Sequence, residues 1–330
     1  MKSRVSNITD RIKYIDLARF IGLVLVLFCH IPMPEGIFHD FVYSFHVPLF
    51  FLLAGVFLKP NVKSTFISGL KNLIIPYLLI NLILVLCGIL ISIFYEFTLY
   101  NDVIYPILGI VCGTSSPEFI YKIPGGPSWF IIALFWSRII VSLIINLKLK
   151  YQIISVIAIL CTYFVLNSYF EYTILCIDSA LLGCIFMLIG YYLKSFILNI
   201  SKTNIYIIGF ILCLSPLLLL NGTANMFKGE YGNNIILFFI NGTIGSLILL
   251  YICSKINLIN RYITLIVSGA IFFIIFHTFI MEYVMLLYRR LVNYELDMRI
   301  YDKIIISIIT IIIIYSTLKL LGKRIPYILK

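Results

Sequence analysis

Charge is scarce in this sequence. Asp, Glu, Lys and Arg make up 12% of the 330 residues, against 62% hydrophobic, and the mean hydropathy is +1.08. A soluble domain carries about 25% charged residues. A water-soluble globular chain is therefore excluded, and a polytopic, all-α membrane protein is expected. Other absences narrow the chemistry. There is no Walker loop, no dinucleotide fingerprint, no zinc-ligand spacing and no nucleophile elbow around a serine. The eight cysteines include no Cys-x-x-Cys pair. Seven lie in apolar runs and Cys112 in a predicted loop, so they read as small core residues, neither disulfide framework nor metal site. No internal repeat, low-complexity tract or sizeable soluble segment is visible, so a single transmembrane domain over 1–330, with no appended extracytoplasmic domain, is expected. The N-terminal stretch lacks a small-residue cleavage site, and the first helix is expected to act as an uncleaved signal anchor. Histidine is rare, at four, and proton-transfer chemistry must rely on it.

Long apolar runs are what the chain does have. They predict about ten spans, near 14–32, 37–58, 68–95, 127–147, 151–170, 174–194, 203–220, 235–254, 262–287 and 304–322. The third is long enough to tilt or to begin along the interface. The longest loop, about 96–126, carries the turn signals Ser-Ser-Pro and Pro-Gly-Gly-Pro. Loop charges divide by side. Lys2, Arg4, Arg11 and Lys13, the loops with Lys59, Lys63, Lys148, Lys150, Lys194, Lys202, Lys255 and Arg261, and the tail fall on one side. Glu35, Asp40, Asp102, Glu118, Glu171 and Glu230 fall on the other, with Lys122 and Lys228, and the last outer loop, 288–303, with Arg289, Arg290, Arg299 and Lys303, is the exception. The positive-inside rule then puts both termini in the cytoplasm. The net charge of +11 reports this orientation in a plasma (inner) membrane, with the lipid bilayer as partner and no nucleic acid.

Few polar groups remain inside the apolar runs: Asp16, Arg19, His30, His46, Arg138, Asp178, His277 and Glu282, with Lys71 and Asn81 near the start of the third span. Ionisable groups there are costly and are functional candidates. At ~100° per residue Arg19 and His30 lie about 20° apart and Asp16 and His30 about 40° apart, so all three share one helix face. Arg19 and His30 are separated by roughly 16 Å along the axis. Asp16 and Arg19 have the spacing of a same-face ion pair. His46, two residues before Pro48, either satisfies backbone groups freed by the proline or serves function. His277 is expected to face the bundle interior, and Glu282, about 140° further round, to lie off its stripe. Arg138 and Asp178 are expected to form a structural interhelical pair. Trp136 reads as a packing or interface aromatic, while Trp129 sits at its span's start, where flexible backbone meets a rigid ring.

Four stretches, in order, resemble the membrane-bound acyltransferase family 3, closest to its fucose 4-O-acetylase-like branch. They are YIDLARFIGLVLVLFCH, with the family's arginine, ten residues and histidine at Arg19 and His30; FVYSFHVPLFFLLAGVFLK; GPSWFIIALF; and VSGAIFFIIFHTFI. The resemblance implies about ten helices that move an acyl group, usually acetyl, from a cytoplasmic donor to a glycan hydroxyl. It implies acetyl-CoA as donor substrate and no bound cofactor. The acceptor would be an exopolysaccharide, capsule, lipopolysaccharide side chain or small sugar. The family's donor-side motif near the third span is arginine-rich; here Lys63 and Lys71 stand there, point charges without the guanidinium fork.

On this resemblance the candidate catalytic residues are His30, as base or acyl-carrying nucleophile, with Arg19 and Asp16. Asp16 would hold Arg19, and Arg19, with Lys63 and Lys71, would meet the donor phosphates. His46, Trp129 and His277 are the candidate acceptor contacts. A transporter or flippase of polysaccharide or lipid-linked sugar is the leading alternative; a glycan polymerase and a scaffold with a degenerate site are others.

Overall fold

Most residues of this chain place their backbone hydrogen bonds within their own segment, as a lipid solvent requires. A computed structural model describes residues 12–32, 36–94, 97–113, 124–170, 173–203, 206, 209, 213, 214, 216, 220–256, 258, 260–292 and 299–322. Among the described residues the regular elements are helical, apart from one isolated antiparallel bridge between Asn225 and Glu230. Eight segments are long and apolar enough to cross a membrane: Ile37–Val56, Val62–Ser92, Gly126–Ile144, Leu149–Tyr169, Ile174–Tyr192, Ile235–Lys255, Ala270–Val292 and Ile300–Leu321. The chain is an all-α polytopic membrane protein. The first helix, α1 (Lys13–His30), carries Lys13, Asp16 and Arg19 and is not among the eight, yet it packs in the midst of them. The span expected at 203–220 lies almost wholly outside the described residues.

Several expected spans are broken, each for a local reason. The second is two helices, α2 (Ile37–Tyr43) and α3 (His46–Val56). Pro48 has no N–H to give the carbonyl four residues back, and its ring clashes there, so the chain turns at Ser44 and Phe45. The third begins earlier than expected, as α4 (Val62–Gly69), and continues through a π-turn at Leu70–Ile74 into α5 (Ile75–Ser92). A second π-turn, Tyr100–Ile104, precedes α6 (Tyr105–Cys112). Each π-turn ends two residues before a proline, Pro76 or Pro106, where the regular ladder would meet a missing donor. The stretch expected to be one long loop thus holds a helix, and Cys112 is its last residue. The expected span 262–287 divides at Gly269.

The remaining helices are α7 (Trp129–Ile144), α8 (Leu149–Tyr169), α9 (Ile177–Tyr192), α10 (Lys194–Leu198), α11 (Ile235–Lys255), α12 (Arg261–Ser268), α13 (Ala270–Val292) and α14 (Ile300–Leu321). The centre is α9, packed between α3 and α7, with α1 and α11 against α3 and with α13 beside α14. The contact of α3 with α9 depends on two glycines. A Cβ on Gly55 would sit 2.0 Å from the Met187 carbonyl oxygen, and one on Gly190 2.0 Å from the Leu52 carbonyl oxygen. Without apolar exclusion between helices in lipid, such backbone approach is what gives van der Waals gain. Phe51, Phe186, Phe238 and Phe273 are wholly buried and fill the layers between these helices. Loops are tied together at each end. Asn146 Nδ2 donates to the Pro60 carbonyl at 3.0 Å and Lys255 Nζ to the Ser201 carbonyl at 2.9 Å at one end. Thr223 Oγ1 donates to Asp40 at 2.7 Å and Tyr163 Oη to the Gly229 carbonyl at 2.6 Å at the other.

Candidate active site

The helix α1 ends at His30, where Ile31 leaves it in an extended conformation. Unlike the leucines before it, His30 is exposed, because a cavity opens at this point. The cavity measures about 100 Å³ and is walled by His30, Tyr43, His46, Trp129, Asn225 and Phe227, with apolar side chains between them. It is mostly apolar, with a few convergent polar groups, which is the usual composition of a small-molecule site. Five separate stretches of sequence supply it: the end of α1, the α2–α3 break, the start of α7, the residues before α11 and Ile274 of α13.

All four histidines of the chain gather here. The rings of His30 and His277 lie 5.1 Å apart between centroids. His46 packs edge-on against Tyr43 at 4.9 Å, and Tyr43 stacks on His39 at 4.0 Å. His39 Nδ1 lies 3.5 Å from Asp40 Oδ1. His46 Nδ1 donates to the Val42 carbonyl at 2.8 Å, a carbonyl near the break before Pro48. His46 thus meets a carbonyl at the α2–α3 break and also lines the cavity. His277 Nδ1 lies 3.0 Å from the carbonyl oxygens of Phe273 and Ile274. His277 faces the bundle interior as expected, wholly buried, while Glu282 is exposed. His277 stands behind His30 and is not on the cavity wall. Among the described residues no cluster of three or more His, Cys, Asp or Glu side chains is arranged to hold a metal.

Trp129 is positioned by a residue far back in the chain, Asn81 of α5, through Gly125 and Ser128. Asn81 is wholly buried, with its Oδ1 accepting from the Gly125 N–H at 3.0 Å. Its Nδ2 donates to the Tyr77 carbonyl at 3.0 Å and to Ser128 Oγ at 3.4 Å. This one amide fixes the Gly-Gly-Pro-Ser turn that aims Trp129 at the cavity. Gly125 is required there, since a Cβ would fall 2.4 Å from Ile275 Cγ2. Opposite, the segment before α11 folds on itself. Asn225 accepts from the N–H groups of Phe227 and Lys228, Asn221 Nδ2 donates to the Tyr231 carbonyl, and Ser179 Oγ donates to the Met226 carbonyl. Phe227 is thereby placed 5.5 Å from Trp129.

The other end of α1 is different. Arg19 Nη1 lies 3.4 Å from Asp16 Oδ1, the expected pair, and its guanidinium sits 5.4 Å over the Phe57 ring. Between it and His30 the helix is closed: Leu23 and Leu27 are wholly buried, and Gly22 is pressed against Phe50. Of α1, only Val26 and His30 reach the cavity. The shared face is thus two separate polar places and no continuous track. Lys63 and Lys71 line an open groove of about 470 Å³ together with Asn61, Ser64, Ser68 and Asn72. The expected Arg138–Asp178 pair is not formed. Asp178 accepts from Thr173 Oγ1 at 2.6 Å and from the Ser179 N–H at 2.7 Å, at the opposite end of the bundle. Arg138 lies nine residues into α7 and donates at 3.4 Å to the Oγ of Ser68, which lines the groove with the two lysines.

Sequence reasoning missed His39, Tyr43 and the groove position of Arg138. Asn81 was visible as a lone amide in an apolar run, but its partners 44 and 47 residues away were not.

The fold and this cavity define a polytopic helical membrane protein with imidazoles gathered at one end, equipped for proton transfer beside an apolar pocket. A family model described as acyltransferase domain, acyltransferase 3, matches residues 12–321. The chain belongs to that family, and it is a multi-pass membrane acyltransferase. No match was found among curated proteins or among solved structures.

Proposed function

We propose that this chain is an O-acetyltransferase of the fucose 4-O-acetylase-like branch, moving acetyl from cytoplasmic acetyl-CoA to a hydroxyl of a cell-surface or lipid-linked glycan at the plasma (inner) membrane. The observation that carries this is the pair of histidines, His30 and His46, on the wall of one cavity in a family acyltransferase domain, with His277 packed behind His30. His30 is the base. It takes the proton from the acceptor O–H as that oxygen bonds to the thioester carbonyl carbon. The C–S bond then breaks, and the departing thiolate takes the proton back from His30. A positioned base of this kind is worth typically about 10²–10⁴-fold. His46 and Trp129 flank the acceptor, Trp129 offering a ring face to the apolar side of a sugar.

The donor's phosphates lie at the other end, on the groove of Lys63 and Lys71. Arg138 supplies there the guanidinium that the third span lacks, and Arg19, held by Asp16, completes the cationic end. Arg19 stands roughly 16 Å from His30 by helix rise, a span that the extended arm of a coenzyme A thioester bridges. Because α1 is closed between them in this structure, the arm must pass beside α1 and not along its face.

The test is transfer of labelled acetyl from acetyl-CoA into glycan by the full chain in proteoliposomes, with His30→Ala alongside. Label in glycan with the native chain and none with His30→Ala is expected. Full activity of His30→Ala removes the mechanism, and glycan crossing the bilayer without becoming labelled favours a transporter or flippase.

A further inference from the structure

His30 becomes a cation each time it takes a proton, and no carboxylate lines its cavity among the described residues. We propose that His277 is the positioning residue for His30, accepting the N–H of the His30 ring on its own Nε2 so that the second His30 nitrogen presents its lone pair to the acceptor hydroxyl. This rests on His30 being the base of the transfer.

The geometry is specific. A carbonyl oxygen only accepts, so the contacts of His277 Nδ1 with Phe273 and Ile274 require the hydrogen to be on Nδ1. The neutral ring then offers Nε2 as an acceptor. That atom is fully buried and has no hydrogen-bond partner among the described residues. A buried acceptor left empty is costly, and each such atom in a folded protein calls for a partner. The nearest ring is His30, 5.1 Å away between centroids and tilted by 53°. His277 cannot swing to meet it, being held by two carbonyls and stacked on Phe273 at 5.7 Å. His30 can, because it faces the cavity and its ring makes no hydrogen bond among the described residues. A turn of the His30 ring therefore closes the contact. The neutral imidazole of His277 does here what a carboxylate does for the histidine of a hydrolase triad: it fixes which nitrogen carries hydrogen and supports the charge of the protonated base. His277 exchanges no proton in the cycle, so the balance of the transfer is unchanged.

The experiment measures acetyl transfer by the full chain in proteoliposomes for His277→Leu, His277→Gln, His30→Ala and the double variant His30→Ala/His277→Leu. Glutamine reaches with its Oε1 about as far as Nε2 and can accept the same N–H; leucine fills the space and cannot. His277→Leu should lower kcat by about tenfold or more, with KM for acceptor and donor within about threefold. His277→Gln should recover most of that loss, and the double variant should be no worse than His30→Ala, since the two residues act as one unit. Equal losses in the leucine and glutamine variants, a loss confined to acceptor KM, or additive losses in the double variant each overturn the proposal. If His30→Ala itself retains activity, the proposed function has failed instead, and the two failures are told apart.

Discussion

The cavity at His30 and the groove of Lys63 and Lys71 are opposite in build. At His30 the protein encloses about 100 Å³, mostly walled by aromatic and aliphatic side chains, with imidazoles as its titratable groups. Near Lys63 and Lys71 the groove is open, about 470 Å³, and lined by lysine, asparagine and serine with Arg138 behind it. Proton transfer gains from an enclosed place where few dipoles are already aimed and water is excluded. Docking of a polyanion gains from an open place where flexible cations reach it and exchange. The end of α1 supplies His30 to the first, α4 and the π-turn after it build the second, and within α1 the buried Leu23 and Leu27 separate His30 from Arg19.

That contrast predicts a graded set of effects. The largest belongs to His30. His30→Ala should lower kcat by about 10²–10⁴-fold while thermal unfolding of the purified protein shifts little, since the ring faces the cavity and makes no hydrogen bond among the described residues. Asn81→Leu comes next. It removes the acceptor of the Gly125 N–H and frees the turn that aims Trp129. A buried donor left unmade costs about 1–3 kcal/mol, so a lower unfolding midpoint should accompany a fall of about tenfold in acceptor kcat/KM. An unchanged midpoint would mean that the turn holds itself.

At the open groove the effects should be on binding. Lys63→Ala/Lys71→Ala should raise donor KM about tenfold, equivalent to about 1.4 kcal/mol, with kcat within about twofold and a weaker dependence on salt. A fall in kcat as large as that of His30→Ala would erase the distinction between cavity and groove. Arg138→Lys is the smallest: it keeps charge but loses the planar fork, and donor KM should rise about threefold in the same assay.

Helical architecture was legible because hydropathy and charge are written residue by residue. The runs that became α7, α8, α9 and α11 were found to within a few residues. The breaks were less legible, although Pro48, Pro76 and Pro106 were in plain view. The three prolines met two outcomes, a turn at Ser44 and Phe45 or a π-turn beginning at Leu70 or Tyr100. His30, Arg19, Asp16 and His46 stood out as polar groups in apolar runs. His39 did not, because it lies at the very edge of the expected second span beside Asp40, where a polar helix end is ordinary. The Arg138–Asp178 pair failed for a geometric reason: α7 and α9 are separated by α8 and start from the same end, so Asp178 in the first turn of α9 and Arg138 past the middle of α7 sit at different depths.

By itself the sequence determined the class of solvent this protein needs, its helices and the sorting of its charges, because the transfer of each side chain between water and lipid is a property of that residue alone. Tertiary structure decided the rest. It separated Arg19 from His30 on the polar face of α1, gave Arg138 to Ser68, and brought His277 to His30 across 247 positions of chain. Those are distances between segments, and they are set by how closely helices approach, as at Gly55 and Gly190, which no single stretch of sequence contains.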